Sequence, residues 1–545
     1  CSADRSASRT GQAEQRTMSG VTREEQLRRR LLGEPAGHRL LGWLGPLVAM
    51  VVGGVLRFWN LSNPHQLVFD ETYYVKQGWS LVQWGVELRN DPVLDAAKSV
   101  DQNFTGTNQN VYATVGDLVV HPPVGKWLIG WGEQLLGVTS SLGWRLAVAT
   151  FGTLSILIIG RVARRLFRSS VLGTLAAILL AFEGHHLVHS RTGLLDLFVM
   201  FFGLTSFAAV LIDRDASRAV LARKVGAVPV GEVVARFGPS GPWLGLRPWR
   251  WVAGISLGLC MGTKWSGAMF LVAFGVLSVL WDMSARRAAG FPAYIWGGVV
   301  KDGIYAFVAM VGTAALTYLV SWTGWFRSTQ GYDRYWASDN PADGPWTWVP
   351  GSLRSWWHYQ VEMYQVSRSI NSPHDYQTTP WVWLIQGRPT SFFYEGPKRG
   401  EWGCEVEVCS RAITSLGTPT IWWAGALMVP VLVYMWLLAR DWRAGALVAG
   451  YAGGYLPWFL LTDRTIYSFY AVAFEVFTVL SIVYGMGLLL GRRGARGWRP
   501  RWPWYVIGGY VVATILIAGF FYPIWTAQVI PQSDWQLRMW FPSWI

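Results

Sequence analysis

The strongest constraint on this chain is a series of long apolar runs whose ionisable residues gather at their ends. Leu40–Leu56 holds no charged residue and stops at Arg57. A run of that length can cross a hydrocarbon core of roughly 30 Å, and it is longer than the apolar core of a secretory signal. Further runs fall at about 142–160, 171–189, 193–212, 251–264, 266–282, 303–322, 417–439, 444–461, 470–490 and 504–522. Together they predict an all-α integral membrane protein with about eleven transmembrane helices, several shorter than the usual ~20 residues. Pro122–Gly137 is apolar but short and contains Lys126 and Glu133, which suits a helix lying along the membrane surface. Composition agrees: 52% of residues are hydrophobic, only 15% are charged, mean hydropathy is +0.25, and there are 35 tryptophans. Soluble domains carry about 25% charge, and Trp is enriched at membrane interfaces. A soluble enzyme, a disordered chain and a nucleic-acid-binding protein are all poor fits.

The net charge of +14 becomes informative once it is placed. Basic loops stay cytoplasmic. Arg161, Arg164, Arg165 and Arg168 follow the second run, and Arg214, Arg218, Arg223, Lys224, Arg236, Arg247 and Arg250 follow the fourth. Arg286, Arg287 and Lys301 follow the sixth, Arg440 and Arg443 the eighth, and Arg492, Arg493, Arg496, Arg499 and Arg501 the tenth. All fall on one side. The expected topology is a cytoplasmic N-terminus and an external C-terminus. Residues 1–39, polar and Arg-rich, are expected as a disordered cytoplasmic tail. Residues 40–522 form the membrane domain, with external loops 60–141 and 323–416, the latter a folded cap bearing interfacial helices, and 523–545 is an external C-terminal tail. Cys404 and Cys409 lie in the second loop, where a small disulfide is credible.

The residues that could carry chemistry cluster on the external side. Asp70 and Glu71 follow the first run, and adjacent carboxylates point apart, so one can serve as a base while the other supports it. Taken alone they read as an ordinary solvated loop pair, because two adjacent acids are a weak motif. His121, before Pro122 and Pro123, and Lys126 open the interfacial segment, where anchoring is the competing reading. Ionisable groups at span ends are costly and usually functional. Arg57, Arg145, Glu183, His185, His186, Arg191, Asp196, Lys264, Asp463 and Arg464 all meet that description on this side. Several cations at one depth beside a carboxylate fit a lipid phosphate and a hydroxyl acceptor, although Arg191 with Asp196 equally reads as a pair stitching helix ends. No spaced Cys/His cluster, Walker motif or dinucleotide fingerprint is present, so neither a metal nor a cofactor is expected.

These residues resemble a family. Arg57 closing a first span, Phe69-Asp70-Glu71, and His121-Pro122-Pro123-Val124-Gly125-Lys126 look like the protein O-mannosyltransferases of the GT-C class. The match continues at Ser190-Arg191-Thr192-Gly193-Leu194-Leu195-Asp196, at Thr263-Lys264-Trp265-Ser266-Gly267, and from His374-Asp375-Tyr376 to Trp383. The resemblance implies transfer of mannose from polyprenyl-phosphate-mannose to Ser/Thr hydroxyls of exported proteins, external and inverting, in a plasma membrane. It implies Asp70 as base accompanied by Glu71. Arg57, Arg145, Lys264, His121 and His374 would be donor-side groups, with Lys126, Arg191, Asp196 and Arg464 as secondary candidates. The implied partners are the lipid-linked donor, membrane lipids and protein acceptors emerging from the secretion translocon. Eukaryotic members carry a trefoil-like domain that 323–416 is too short to hold, and the excess of Arg over Lys fits a GC-rich actinobacterial form. One rival is a related GT-C transferase acting on a lipid or glycan. Another is a transporter, which should show midspan polar residues and internal repeats.

Overall fold

The computed structural model describes residues 22–33, 40–106, 108–491 and 500–545. Each expected apolar run is helical, but they are not eleven equal spans. Among the described residues, eight helices are long and apolar enough to cross a membrane: Leu41–Phe58, Ser141–Phe167, Asp196–Gly226, Gly267–Ala288, Tyr294–Ser321, Pro419–Leu437, Ser468–Leu490 and Trp502–Trp525. The other three runs give the shorter helices Ser170–Ala181, Pro248–Met261 and Trp442–Gly454. The run at 171–189 is not continuous. It breaks after Ala181 because Glu183 turns back to accept from His186 N at 2.5 Å, starting a separate helix, Gly184–His189. A carboxylate oxygen at a helix start satisfies N–H groups that lack an intrahelical partner.

The first helix packs through small residues. Gly53 faces Ser141–Phe167 so closely that a Cβ there would meet Ile156 Cδ1 at 2.4 Å, the close backbone approach that small residues permit between membrane helices. On the side away from the long loops, six charges lock four helices together. Arg247 Nε donates to Asp213 at 3.0 Å and its Nη1 to Asp282 at 2.8 Å. Arg250 joins both carboxylates, and Arg286 holds Asp302 through Nε at 2.6 Å and Nη2 at 3.0 Å. All six are buried. Part of the basic charge that marks this side is thus internal to the fold.

The segment expected as a disordered tail holds an ordered helix, Arg23–Leu32, while 1–21 and 34–39 lie outside the described residues. Its caps account for the helix: Thr22 accepts from Glu25 N, Glu24 and Glu25 stand in the first turn, and Arg29 and Arg30 in the last. Leu31 is buried with Leu221, Ala222 and Val225.

On the loop side, a cap covers the helix ends. Helix Glu71–Trp84 lies against the interfacial helix Val124–Leu136 at near-backbone contact, since a Cβ on Gly130 would meet Gly78 O at 2.2 Å. A hairpin of β1 (Leu88–Asn90) and β2 (Tyr112–Gly116) completes this half. The second half holds helix Gly351–Ser369 and an antiparallel sheet of β3 (Thr390–Glu395), β4 (Cys409–Ser415) and β5 (Val529–Pro531). A disulfide joins Cys404, in the β3–β4 connection, to Cys409, the first residue of β4. The segment 523–545, expected as a tail, instead supplies β5 and buries Trp544, whose Nε1 donates to Gln386 O at 2.8 Å. Replacing Asp282 with Ala leaves Arg247 and Arg250 short of a buried counter-charge, an effect of roughly 3–5 kcal/mol. A clear fall in the detergent-solubilised Tm is expected.

Candidate active site

Asp70 sits at the N-terminus of helix Glu71–Trp84, next to a residue in an unusual conformation: Phe69 has φ of +51°. An aromatic residue in the left-handed region stores strain, and such residues cluster at functional sites. Phe69 is held there by stacking on Phe392 at 4.6 Å and by Phe469 edge-on at 5.3 Å. One turn into the helix, Tyr74 Oη donates to Asp70 Oδ2 at 3.2 Å. Burial pushes the Asp70 carboxyl from 3.8 up to about 6, with the Lys264 ammonium pulling against it and Asp196 pushing with it.

Glu71 lies in the opposite environment. It is fully buried and accepts from Arg145 Nε and Nη2, both at 2.8 Å, from Gly193 N at 2.7 Å and from Val68 N at 3.0 Å. Its oxygens are taken. Arg145 spends its remaining N–H groups on the carbonyls of Leu61, Pro64 and Gln66.

Three arginines expected beside a phosphate are thus internal braces. Arg57 is fully buried and gives its N–H groups to Ser190 Oγ, to the carbonyls of Gly53, Ala181 and Leu180, and to His186 Nδ1 at 2.7 Å. Arg191 caps the first span by donating to the carbonyls of Leu56, Arg57, Trp59 and Asn60. It does not pair with Asp196, which instead binds Lys264 Nζ at 2.7 Å. Lys126 is also committed, to Glu87 at 2.5 Å and to the His121 carbonyl at 2.9 Å. Backbone carbonyls at a membrane-embedded helix end demand donors, a need that residue counting does not reveal.

Of the remaining candidates, His121, Lys264 and Arg464 line one cavity of about 300 Å³. Its wall includes His121, Lys264, Arg368, Arg464, Tyr470 and Ser367. Arg464 Nη1 donates to Ser367 Oγ at 3.2 Å, while its buried Nε makes no hydrogen bond. Burial, reinforced by Lys264, Lys126 and Arg464, holds the His121 imidazole neutral, well below its ordinary range. Trp265, Met269, Pro457 and Leu461 give the wall its apolar part. His374 is exposed, accepts from Tyr376 N at 3.1 Å and lies edge-on to Tyr467 at 5.3 Å. Its field reaches Asp70. Sequence reasoning missed Tyr74 and Arg368; Tyr74 was readable as the i+4 neighbour of Asp70 on one helix face. The arrangement offers a carboxylate able to take a proton near neutral pH, cations for a phosphate and apolar walls for a lipid.

Comparison with known proteins places this fold in a class. The fold matches the Saccharomyces cerevisiae protein O-mannosyltransferase Pmt1-Pmt2 complex bound to the sugar donor, with a TM-score of 0.65 over 98% of this chain and 94% of that one, at 13% identity. The molecule is a multi-pass membrane protein with the GT-C glycosyltransferase fold. Residues 101–218 match the family described as dolichyl-phosphate-mannose-protein mannosyltransferase, and 352–544 match the C-terminal four-transmembrane region of protein-O-mannosyltransferase. Polyprenol-phosphate-mannose–protein mannosyltransferase of Mycolicibacterium smegmatis (strain MKD8) is 34% identical over 93% of each chain. The Mycobacterium tuberculosis protein of that name is 32% identical over 93% of this chain and 92% of its own. That of Corynebacterium glutamicum is 34% identical over 90% of this chain and 91% of its own. The chain belongs to the protein O-mannosyltransferase family.

Two outcomes separate brace from binder. Arg145→Met strands the Glu71 charge and should cost roughly 3–5 kcal/mol of stability, whereas Arg464→Gln should stay within about 0.5 kcal/mol; thermal melts compare them. A carboxyl raised from 3.8 to about 6 disfavours its charged form, so stability through Asp70 is present below 3.8 and lost as pH rises through about 6. Asp70→Asn should therefore melt higher than the parent at pH 8, with the gap closing towards pH 4.

Proposed function

We propose that this chain transfers mannose from polyprenyl-phosphate-mannose to Ser or Thr hydroxyls of exported proteins, at the external face of the plasma membrane and with inversion. The carrying observation is Asp70, a carboxyl raised to about 6, electrostatically coupled to a Lys264 that also lines a cationic, apolar-walled cavity. The actinobacterial relatives' names supply the sugar and acceptor class. In this reading the prenyl chain lies along Trp265, Met269, Pro457 and Leu461, and the phosphate meets Lys264, Arg464 and Arg368. The acceptor oxygen attacks the anomeric carbon from the face opposite the phosphate. The new C–O bond forms as the sugar–phosphate bond breaks, polyprenyl phosphate leaves with the electron pair, and Asp70 takes the hydroxyl proton.

Cations fixed around the phosphate stabilise the charge that develops on it without reorganising during the step. The charge carriers are side chains, and no metal is assigned to the reacting carbon. Glu71, Arg145, Arg57 and Arg191 act as positioning residues that set the turn presenting Asp70. Exported chains are reachable at this face before they fold, so delivery from the secretion translocon is part of the proposal.

The test is labelled mannose transfer from polyprenyl-phosphate-mannose to a Ser/Thr-rich peptide. Asp70→Asn should lower the rate by about 10²–10⁴-fold, and the parent rate should fall as pH drops below about 6. Unchanged transfer by the variant would remove Asp70 from the role of base. Label appearing on lipid or glycan instead of peptide would redirect the acceptor assignment.

A further inference from the structure

Away from the donor cavity, the cap brings together three potential ligands: Asp333, His358 and Glu362. His358 and Glu362 are four residues apart in helix Gly351–Ser369 and so share a face. Asp333 arrives from the turn before helix Trp336–Asp339, held in the left-handed region at φ of +46°. His358 Nε2 lies 3.4 Å from Asp333 Oδ2 and 3.6 Å from Glu362 Oε1. A protonated imidazole bridging two carboxylates closes to N–H···O contacts of about 2.7–2.9 Å. These atoms stay further apart, at the roughly 3.4 Å separation of ligands held 2.0–2.2 Å from a tetrahedral ion.

Two other features fit a ligand set. Glu362 Oε2 is buried and accepts no hydrogen bond of normal geometry, the Tyr332 hydroxyl being the nearby polar group that acts on this carboxylate. The His358 ring is fixed by stacking on Trp336, with centroids 4.2 Å apart and planes 9° from parallel. Ring orientation of that kind is what a ligating imidazole requires. All three side chains remain partly exposed, leaving room for water as a fourth ligand.

We propose that Asp333, His358 and Glu362 form a divalent-cation site for a metal of the Zn2+ or Mn2+ type. One imidazole with two carboxylates favours such ions over Ca2+ and Mg2+, which prefer all-oxygen sets. The ion ties the 332–339 turn to helix Gly351–Ser369, whose last turns place Tyr364, Ser367 and Arg368 in the donor cavity wall. It is a clip and takes no part in the transfer step.

The experiment uses the full chain in detergent, stripped with EDTA and titrated with ZnCl2, MnCl2 and CoCl2. One ion per chain is expected, with a Tm that rises with metal concentration and a Co2+ visible spectrum showing nitrogen and oxygen ligation. His358→Asn and Glu362→Gln should weaken binding by about tenfold or more and remove the metal-dependent part of Tm. Absence of binding by the parent chain, or equal binding by a folded His358→Asn/Glu362→Gln double variant, overturns the site. The parent titration decides the matter even if a variant does not fold. Mannose transfer by the metal-free protein leaves this proposal untouched, so its failure and that of the proposed function are separable.

Discussion

The buried pair between Glu71 and Arg145 is the interaction on which the rest of the site depends. Each partner would be strongly unfavourable alone at that depth, and each is saturated: Arg145 gathers three loop carbonyls, and Glu71 takes the amides of Val68 and Gly193. The loop after the first span, helix Ser141–Phe167 and the turn before Asp196 therefore meet at one point. Asp70 is the next residue along. Its position is a by-product of how completely its neighbour is pinned, and the strained Phe69 is tolerated because that pin holds both sides of it.

Two adjacent carboxylates thus receive opposite treatment. Glu71 is given four N–H donors. Asp70 is given one tyrosine hydroxyl and a burial that favours its neutral form. Environment, not residue type, separates a saturated carboxylate from one whose neutral form is favoured. The same division runs through the cations: Arg57, Arg145, Arg191 and Lys126 are spent on carbonyls and carboxylates, while Arg464 keeps an unused buried donor facing its surroundings in the cavity wall.

Much of the fold was legible because hydrophobic runs and charge placement report directly on membrane partition. Each expected run is helical, and the order of motifs led to the family. The break at Glu183 was not legible, because a carboxylate turned back onto its own helix start looks, in one dimension, like any charge inside an apolar run. The braces were not legible either. An arginine at a span end satisfies a phosphate or four backbone carbonyls equally well, and only tertiary geometry decides. The ordering of Arg23–Leu32 was within reach, since Thr22, Glu25 and Arg29 carry recognisable capping chemistry inside a segment whose overall polarity argued for disorder.

The three-stranded sheet of the cap has a consequence for how the molecule matures. Its fully buried middle strand, Cys409–Ser415, is flanked on one side by Thr390–Glu395, but on the other by Val529–Pro531, which lies beyond the final span. Until that span has been threaded, the Cys409–Arg411 part of the strand lacks its β5 partners on that edge. Completion of the sheet therefore reports that the helix Trp502–Trp525 has been inserted. Chains stalled before Trp502–Trp525 would carry an unfinished edge, the kind of surface that quality-control proteases and chaperones recognise.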